Sequence, residues 1–146
     1  MTRALFSVLV LGLGLGAAGC GKDAATPTSA SSTGAVSATT RLFTGTLAQK
    51  DTQYYSFTVP QDSGVFLTLA SVTTVNGREA DTSGLGLGLG VPRGTGCQLS
   101  TRGVMVPGLA AQLREWTSAG VHCVAVYDPG TLTGPRAFAV RIGYYQ

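Results

Sequence analysis

Residues 53–59 read QYYSFTV, and this stretch decides the fold class. Every second residue from Tyr55 to Val59 is apolar, Ser56 and Thr58 lie between them, and Pro60 follows directly. An alternation with period two is typical of a half-buried β-strand, and proline ends such a strand because it has no N–H for the ladder. The stretch therefore predicts a strand with one face toward a core.

The same alternation recurs at residues 65–70 (VFLTLA), 121–127 (VHCVAVY) and 136–145 (RAFAVRIGYY). The last two segments also carry small apolar residues on their second face, which is typical of strands in the interior of a sheet. Helix signals are weak, because glycine, threonine and valine all disfavour helix and the chain holds 21 glycines. Several short strands separated by Gly and Pro turns predict an antiparallel β-sandwich or barrel.

Residues 109–116 (LAAQLREW) fit two structures. In a helix, Leu109, Leu113 and Trp116 form an apolar stripe, whereas in a strand Leu113 and Trp116 lie on opposite faces. We favour the strand, because Gly and Pro bracket the segment closely and so short a helix is marginal. The register of this strand stays open.

Residues 84–90 read GLGLGLG. The segment lacks the Lys and Ser or Thr of a phosphate-binding loop, so we interpret it as a strand with its leucines in the core. Its glycines then leave a bare trough on the other face, which implies that something approaches closely there. We expect neighbouring aromatic side chains or a covering loop to fill the trough, and a shallow groove for a ligand or partner is the alternative.

Residues 1–19 predict export. They combine a basic start at Arg3, an apolar run and small residues before Cys20, which is the pattern of a signal peptide. An uncleaved transmembrane helix is the alternative, but the apolar run is shorter than the roughly 20 residues that a bilayer core requires.

Residues 17–20 (AAGC) resemble the lipobox of bacterial lipoproteins, although Ala17 stands where Leu is commonest. The resemblance implies that Cys20 carries lipid chains and anchors the protein to the cell envelope. Because Gly21 rather than Asp follows the cysteine, it also implies the outer membrane in a host with two membranes. A soluble secreted protein is the alternative.

The chain after the signal divides into a linker and one domain. Residues 20–40 are rich in Ala, Ser and Thr, and Val36 is the only large aliphatic residue among them. Such a segment buries too little apolar surface to fold, so it predicts a flexible spacer with a reach of about 25 Å. Residues 41–146 have the length of a single β-sandwich domain.

Three segments of that domain, residues 43–47 (FTGTL), 51–60 (DTQYYSFTVP) and 119–126 (AGVHCVAV), resemble the bacterial pre-peptidase C-terminal domain. The resemblance implies a jelly-roll-like sandwich. Members accompany exported peptidases and other exported enzymes, and some bind calcium, collagen or polysaccharide. This chain departs from the family pattern where a tyrosine pair is replaced by His122-Cys123 and where the central strand is the glycine-leucine repeat.

Cys97 and Cys123 predict a disulfide. With Cys20 assigned to lipid they are the remaining cysteines of an exported domain, and an oxidising compartment favours their pairing. Two buried free thiols are the alternative. A metal site is disfavoured because His122, beside Cys123 in a strand, points to the opposite face; we expect His122 to be a packed residue or a polar residue at a sheet edge.

The charged residues exclude several classes of function. Ten Lys and Arg and seven Asp and Glu are scattered without the basic patch that nucleic-acid binding requires. The acidic residues lie at predicted turns without the paired spacing of a catalytic site. We therefore predict no enzyme activity, no cofactor and no metal residues.

These observations predict a lipid-anchored, non-catalytic module of the cell envelope that binds a polysaccharide or a protein. The candidate binding residues are Tyr54, Tyr127 and Tyr145, because exposed aromatic side chains dominate such contacts. The alternative is a structural subunit of an envelope complex or an accessory partner of a separately encoded exported hydrolase.

Overall fold

The computed structural model describes residues 37–77 and 79–146, and this part of the chain contains eight β-strands. The strands are β1 (Ala38–Leu47), β2 (Thr52–Val59), β3 (Ser63–Thr74), β4 (Leu85–Arg93), β5 (Gly96–Met105), β6 (Leu113–Thr117), β7 (Gly120–Tyr127) and β8 (Arg136–Tyr145). The predicted signal peptide, Cys20 and the linker up to residue 36 lie outside the described residues. Within the described residues, no helix has the length and hydropathy needed to cross a membrane.

The strands form two four-stranded antiparallel sheets that make a sandwich. Sheet A has the order β1-β8-β3-β6, and sheet B has the order β2-β7-β4-β5. The pairings are nested along the chain, β1 with β8, β2 with β7, β3 with β6 and β4 with β5. This is the winding of a jelly roll, in which one long antiparallel hairpin is rolled into two sheets. The predicted jelly-roll-like sandwich is confirmed.

The core lies between the sheets, and the alternation in the sequence builds it. Val65, Leu67 and Leu69 are fully buried on β3, as the alternation predicts. The interior placement predicted for the segments at residues 121–127 and 136–145 is also confirmed, because β7 and β8 each pair with a strand on both sides. The largest fully buried side chains are those of Leu47, Val59, Val65, Leu67, Leu69, Val72, Leu85, Leu87, Leu89, Val124, Val126 and Ile142.

The folded domain begins before the boundary predicted at residue 41. β1 starts at Ala38, which is in register with Tyr145 of β8, and Thr39 and Thr40 continue the ladder. An edge strand needs backbone hydrogen bonds more than apolar side chains, and threonine favours extended backbone. The polar composition that predicts a linker therefore does not prevent residues 38–40 from forming a strand.

The strand predicted over residues 109–116 is confirmed only for its second half. β6 begins at Leu113, and residues 109–112 form an irregular segment beside β3. The N–H groups of Gly108 and Gln112 donate to the carbonyls of Leu69 and Leu67, both at 2.9 Å. These two bonds hold the segment against β3 without a regular ladder. The register left open in the sequence is now fixed, with Leu113 toward the core and Trp116 toward solvent.

The glycine-leucine repeat forms β4, with Leu85, Leu87 and Leu89 fully buried in the core. The trough on its other face is filled. The Tyr127 ring lies over Gly86, and the Leu99 side chain lies over Gly88. The prediction that neighbouring side chains fill the trough is thus confirmed, although an aliphatic side chain fills its middle.

Gly90 has a different neighbour, the backbone of β5. A Cβ at residue 90 would overlap the carbonyl oxygen of Gln98, so only glycine allows β5 to approach so closely. The register between β4 and β5 also shifts between Leu89 and Gly90. Past this irregularity, the start of β5 folds over the outer side of β4.

The predicted disulfide between Cys97 and Cys123 is confirmed. The two cysteines lie on β5 and β7, with β4 between these strands in the sheet order. Strands two positions apart are normally separated by about 9.6 Å, whereas these Cα atoms are 5.9 Å apart. Because β5 folds over β4 at Gly90, Cys97 of β5 comes close enough to Cys123 of β7 for the disulfide to form across β4, which lies between these two strands.

Candidate ligand-binding surface

Several carboxylates of the domain hold turns together. Asp128 accepts hydrogen bonds from the backbone N–H groups of Lys50, Gly130, Thr131 and Leu132, at 2.8 to 3.2 Å. Burial acts to raise the pKa of Asp128, but these four donors outweigh it and the pKa lies below its ordinary value. The prediction that Asp128 is a turn residue agrees with these contacts.

Asp62 and Asp81 have comparable roles. Asp62 accepts from the N–H of Ala119 at 2.8 Å and joins two turns. Asp81 accepts from Ser83 and forms an ion pair with Arg136. Hydrogen bonds from Ser83 and then from Arg136 lower the pKa of Asp81 to about 2. The lowered pKa values of Asp81 and Asp128 keep these two carboxylates ionised at neutral pH, which is the opposite of what a general acid requires.

His122 is packed, as the sequence predicts. It is buried, its ring lies 6.0 Å from that of Phe57, and its Nε2 is 2.8 Å from the carbonyl oxygen of Ser118. Among the described residues, no group of three or more His, Cys, Asp or Glu side chains is arranged to hold a metal ion.

The candidate residues Tyr54 and Tyr127 lie together on the outer face of sheet B. They line a shallow hollow of about 230 Å³ beside Cys97, with Arg102 at its rim. Tyr54 is 47% exposed, whereas Tyr127 is half-buried because its ring covers Gly86. Tyr127 is therefore largely engaged in filling the glycine trough, which leaves Tyr54 as the freer of the two.

Tyr145 lies on the outer face of sheet A, away from the other two tyrosines, and its neighbours form a larger aromatic surface. We call this the Trp116 surface, and it consists of Gly64, Phe66, Arg114, Trp116 and Tyr145. Together with Val65 and Glu115, these residues line an open hollow of about 300 Å³. Trp116 is 74% exposed, which is far more than a tryptophan with a purely structural role requires.

The sheet register explains how the Trp116 surface forms. Gly64 of β3 is opposite Trp116 of β6, and Phe66 is opposite Arg114. Because Gly64 has no side chain, the rings of Phe66 and Trp116 lie close over its backbone; a Cβ there would be 3.3 Å from Phe66 Cζ and 3.9 Å from Trp116 Cε3. The Tyr145 ring meets the Phe66 ring edge-on, with centroids 5.7 Å apart. The result is a low aromatic floor with Tyr145 at one side.

Arg114 borders this floor. Its guanidinium lies 5.6 Å from the centroid of the Phe66 ring, which is within the range of a cation–π contact. The side chain is exposed, so its N–H donors face solvent and remain available to a ligand.

A second groove lies on the other side of Trp116, between the edge strands β5 and β6. Its volume is about 360 Å³, and its lining includes Val91, Leu99, Glu115, Trp116 and His122. The Glu115 carboxylate accepts a hydrogen bond from the hydroxyl of Ser100 at 2.9 Å across this groove. Trp116 thus forms the ridge between two depressions.

Sequence reasoning missed Trp116, Arg114 and Phe66 as site residues. The face on which Trp116 and Arg114 lie depends on the register of β6, which the sequence left open. Phe66 had a usable signal, because it is an aromatic residue on the face of β3 opposite the buried Val65 and Leu67. An aromatic residue on the outer face of a strand either covers the sheet or forms part of a binding surface. Phe66 lines the hollow beside Trp116, so it belongs to the surface.

No family model matches the chain, and no curated protein matches it. The resemblance to the bacterial pre-peptidase C-terminal domain therefore stays a prediction. Among solved structures, the chain is similar to a crystal structure of Aeromonas hydrophila PliG, a periplasmic lysozyme inhibitor of g-type lysozyme. The identity is 12%, the TM-score is 0.49, and the match covers 73% of this chain and 86% of that one. A likeness at this level carries no functional argument, so function has to be inferred from the chain's own residues.

Proposed function

We propose that this protein is an exported, lipid-anchored and non-catalytic module of the cell envelope that binds a polysaccharide or a protein through the Trp116 surface. The exposure of Trp116 beside Phe66 and Tyr145 carries the proposal. Exposed aromatic side chains grouped around an open hollow mark ligand and partner sites, because they bury a large area with little loss of conformational freedom.

The disulfide supports the export part of the proposal. Disulfides persist in oxidising compartments and are rare where thiols are kept reduced. The lipid anchor rests on the lipobox-like residues 17–20. Intact mass of the protein purified from its host tests both: we expect cleavage before Cys20, acyl chains on that residue and no free thiols. An unmodified chain that retains residues 1–19 contradicts the anchor.

Binding is tested with the purified domain immobilised and exposed to envelope polysaccharides and to solubilised envelope proteins. We expect retention by the wild type and loss of at least about tenfold in Trp116→Ala. Tyr54→Ala is the matched control, because it removes an exposed aromatic side chain from the other sheet. If Tyr54→Ala loses the ligand and Trp116→Ala keeps it, the binding site is the hollow on sheet B and our assignment is wrong.

A further inference from the structure

We infer that the ligand of the Trp116 surface is an anionic glycan, with a sugar ring stacked on the aromatic floor and an acidic group on Arg114. This inference rests on the proposed function and narrows it to one ligand class. It follows from the charge of the outer face of sheet A, from the shape of the hollow and from the small number of residues that form it.

The four strands of sheet A contain a single carboxylate, Glu115. Glu115 lies between Arg114 and Trp116 on β6 and is among the residues that line the hollow, but its carboxylate accepts a hydrogen bond from Ser100 of the other sheet at 2.9 Å and is directed toward β5. Four arginines lie on the same strands. Arg136 is paired with Asp81, and Arg41 donates to the hydroxyl of the inward-facing Tyr144.

Arg114 and Arg141 are the two arginines left for the outer face. Arg141 lies on β8 beside Thr68 of β3 and donates to the backbone carbonyl of Leu109 at 3.1 Å. Arg114 lies over the Phe66 ring, and within residues 37–77 and 79–146 neither arginine forms an ion pair. Two cations without an opposing anion on one sheet face favour an anionic ligand.

The shape of the hollow favours a sugar ring. Tyr145 is in the same row across the sheet as Gly64 and Trp116, and β8 and β6 are about 9.6 Å apart because β3 lies between them. Carbon atoms in contact are about 3.5 to 4.0 Å apart, so one ring fits between the floor at Trp116 and the side formed by Tyr145. A pyranose offers an apolar C–H face to such a floor, and its polar edge meets the Tyr145 hydroxyl and the Arg114 guanidinium.

The extent of the surface disfavours a folded protein as ligand. A standard protein interface takes about 20 to 30 residues a side with an apolar centre. The hollow of the Trp116 surface is lined by seven residues and lies toward the edge strand β6. The outward positions of β1 are Thr40, Leu42 and Thr44, so Leu42 is the one large apolar side chain among them, and it lies opposite Arg141 of β8. This composition suits a narrow chain that crosses the sheet face.

The test compares two polymers with the same backbone, polygalacturonate and its fully methyl-esterified form, and adds polysialic acid and chondroitin sulfate as further anionic probes. Affinity is measured by calorimetry with the wild-type domain in 50 mM and 500 mM NaCl. We expect at least one anionic polymer to bind. If polygalacturonate is bound, it should be at least about fivefold tighter than its ester, with most of the preference lost at high salt.

Three variants assign the roles. Trp116→Ala should weaken binding at least about tenfold at either salt concentration. Arg114→Gln should lower affinity for the anionic polymer about fivefold and remove most of its salt dependence, while Arg114→Lys should retain most of the affinity. Val104→Ala, which shortens an exposed side chain of β5 outside both hollows, should bind like the wild type. Unfolding midpoints of all variants within a few degrees of the wild type show that the sandwich is intact.

Equal affinity for polygalacturonate and its ester, with both lost in Trp116→Ala, overturns the inference and leaves the proposed function standing. A failure of every anionic polymer to bind overturns the inference, and the proposed function then stands only if an envelope protein is retained by the wild type and lost by Trp116→Ala. Ligand binding that is indifferent to Trp116→Ala overturns the inference and the proposed function together.

Discussion

Replacing Gly90 by alanine tests whether the close passage of β5 over β4 is essential to the fold. A Cβ at residue 90 would overlap the Gln98 carbonyl oxygen and lie 2.6 Å from its carbon and 2.8 Å from Leu99 Cα. Since ordinary contacts are about 3.5 to 4.0 Å, β5 must move by at least about 1 Å. The atoms in the way are backbone, so no side-chain rotation relieves the overlap.

The cost follows from what a 1 Å movement breaks. About two ladder hydrogen bonds around residue 90 weaken, each worth about 1 kcal/mol, and overpacking adds about 1 to 3 kcal/mol. The movement also affects the disulfide, because its Cα separation of 5.9 Å has a typical value and a further 1 Å would bring it to the upper limit of about 6.8 Å. We expect Gly90→Ala to lower the free energy of unfolding by about 3 kcal/mol.

Gly88→Ala is the matched control, because it makes the same change two residues earlier on the same face of β4. The nearest atoms there belong to the half-buried Leu99 side chain, which is able to swing aside. Alanine is also favoured over glycine in a strand by about 0.5 to 1 kcal/mol, which offsets the displacement. We expect Gly88→Ala to be within about 1 kcal/mol of the wild type.

The assay is urea unfolding of the oxidised domain, followed by tryptophan fluorescence and circular dichroism. With a slope of about 1.5 kcal/mol per M, Gly90→Ala should unfold at about 2 M less urea than the wild type, and Gly88→Ala at nearly the same urea concentration. If the two variants unfold together, the passage of β5 over Gly90 does not constrain the fold and our reasoning fails.

The remaining predictions concern the core, the disulfide and a loop ion pair. Leu87→Ala should lower the free energy of unfolding by about 2 to 5 kcal/mol, because the Leu87 side chain is fully buried. Leu109→Ala should change it by less than about 0.5 kcal/mol, because Leu109 is 90% exposed. Equal effects of the two substitutions in urea unfolding would contradict the core assignment. Replacing both cysteines by alanine should lower the free energy of unfolding by about 3.5 kcal/mol, since the cross-link spans 26 residues. Dithiothreitol should destabilise the wild type but not this variant. Asp81 has a folded pKa of about 2 against 3.8 for the free group, so the folded state releases its proton more readily. The stability advantage of the wild type over Asp81→Asn should therefore be complete above about pH 5 and disappear as the pH falls toward 2; a constant difference in urea midpoint across that range would exclude the ion pair as its source.

The sequence predicts the strands of the core well, because burial on one face imposes period two directly on residues such as Val65, Leu67 and Leu69. It predicts β1 less well. An edge strand such as residues 38–40 is held by backbone bonds to β8, and these leave no apolar signature. The sequence does not predict the irregular segment at residues 109–112 for a similar reason, since two backbone hydrogen bonds to β3 determine its conformation.

The candidate site is predictable only in part. Tyr145 follows from its position at the end of an alternating strand, and it does lie on an exposed face. The surface around it depends on which residues of β3, β6 and β8 share a row, and that is a matter of pairing across the sheet. Gly64 illustrates the difficulty. It contributes to the site because it has no side chain beneath Trp116, and this is recognised only when Trp116 is known to be its partner on β6.

The nested pairing of the strands bears on how such a chain folds after crossing a membrane. β1 is hydrogen-bonded to β8, so Ala38 finds its partner only at Tyr145. If the chain crosses the membrane from its N-terminus, β1 emerges early and stays unpaired until the end of β8 has also crossed. The innermost hairpin of β4 and β5 is then the earliest part able to close, and sheet A would be completed last, with the strand nearest the proposed anchor as its final edge.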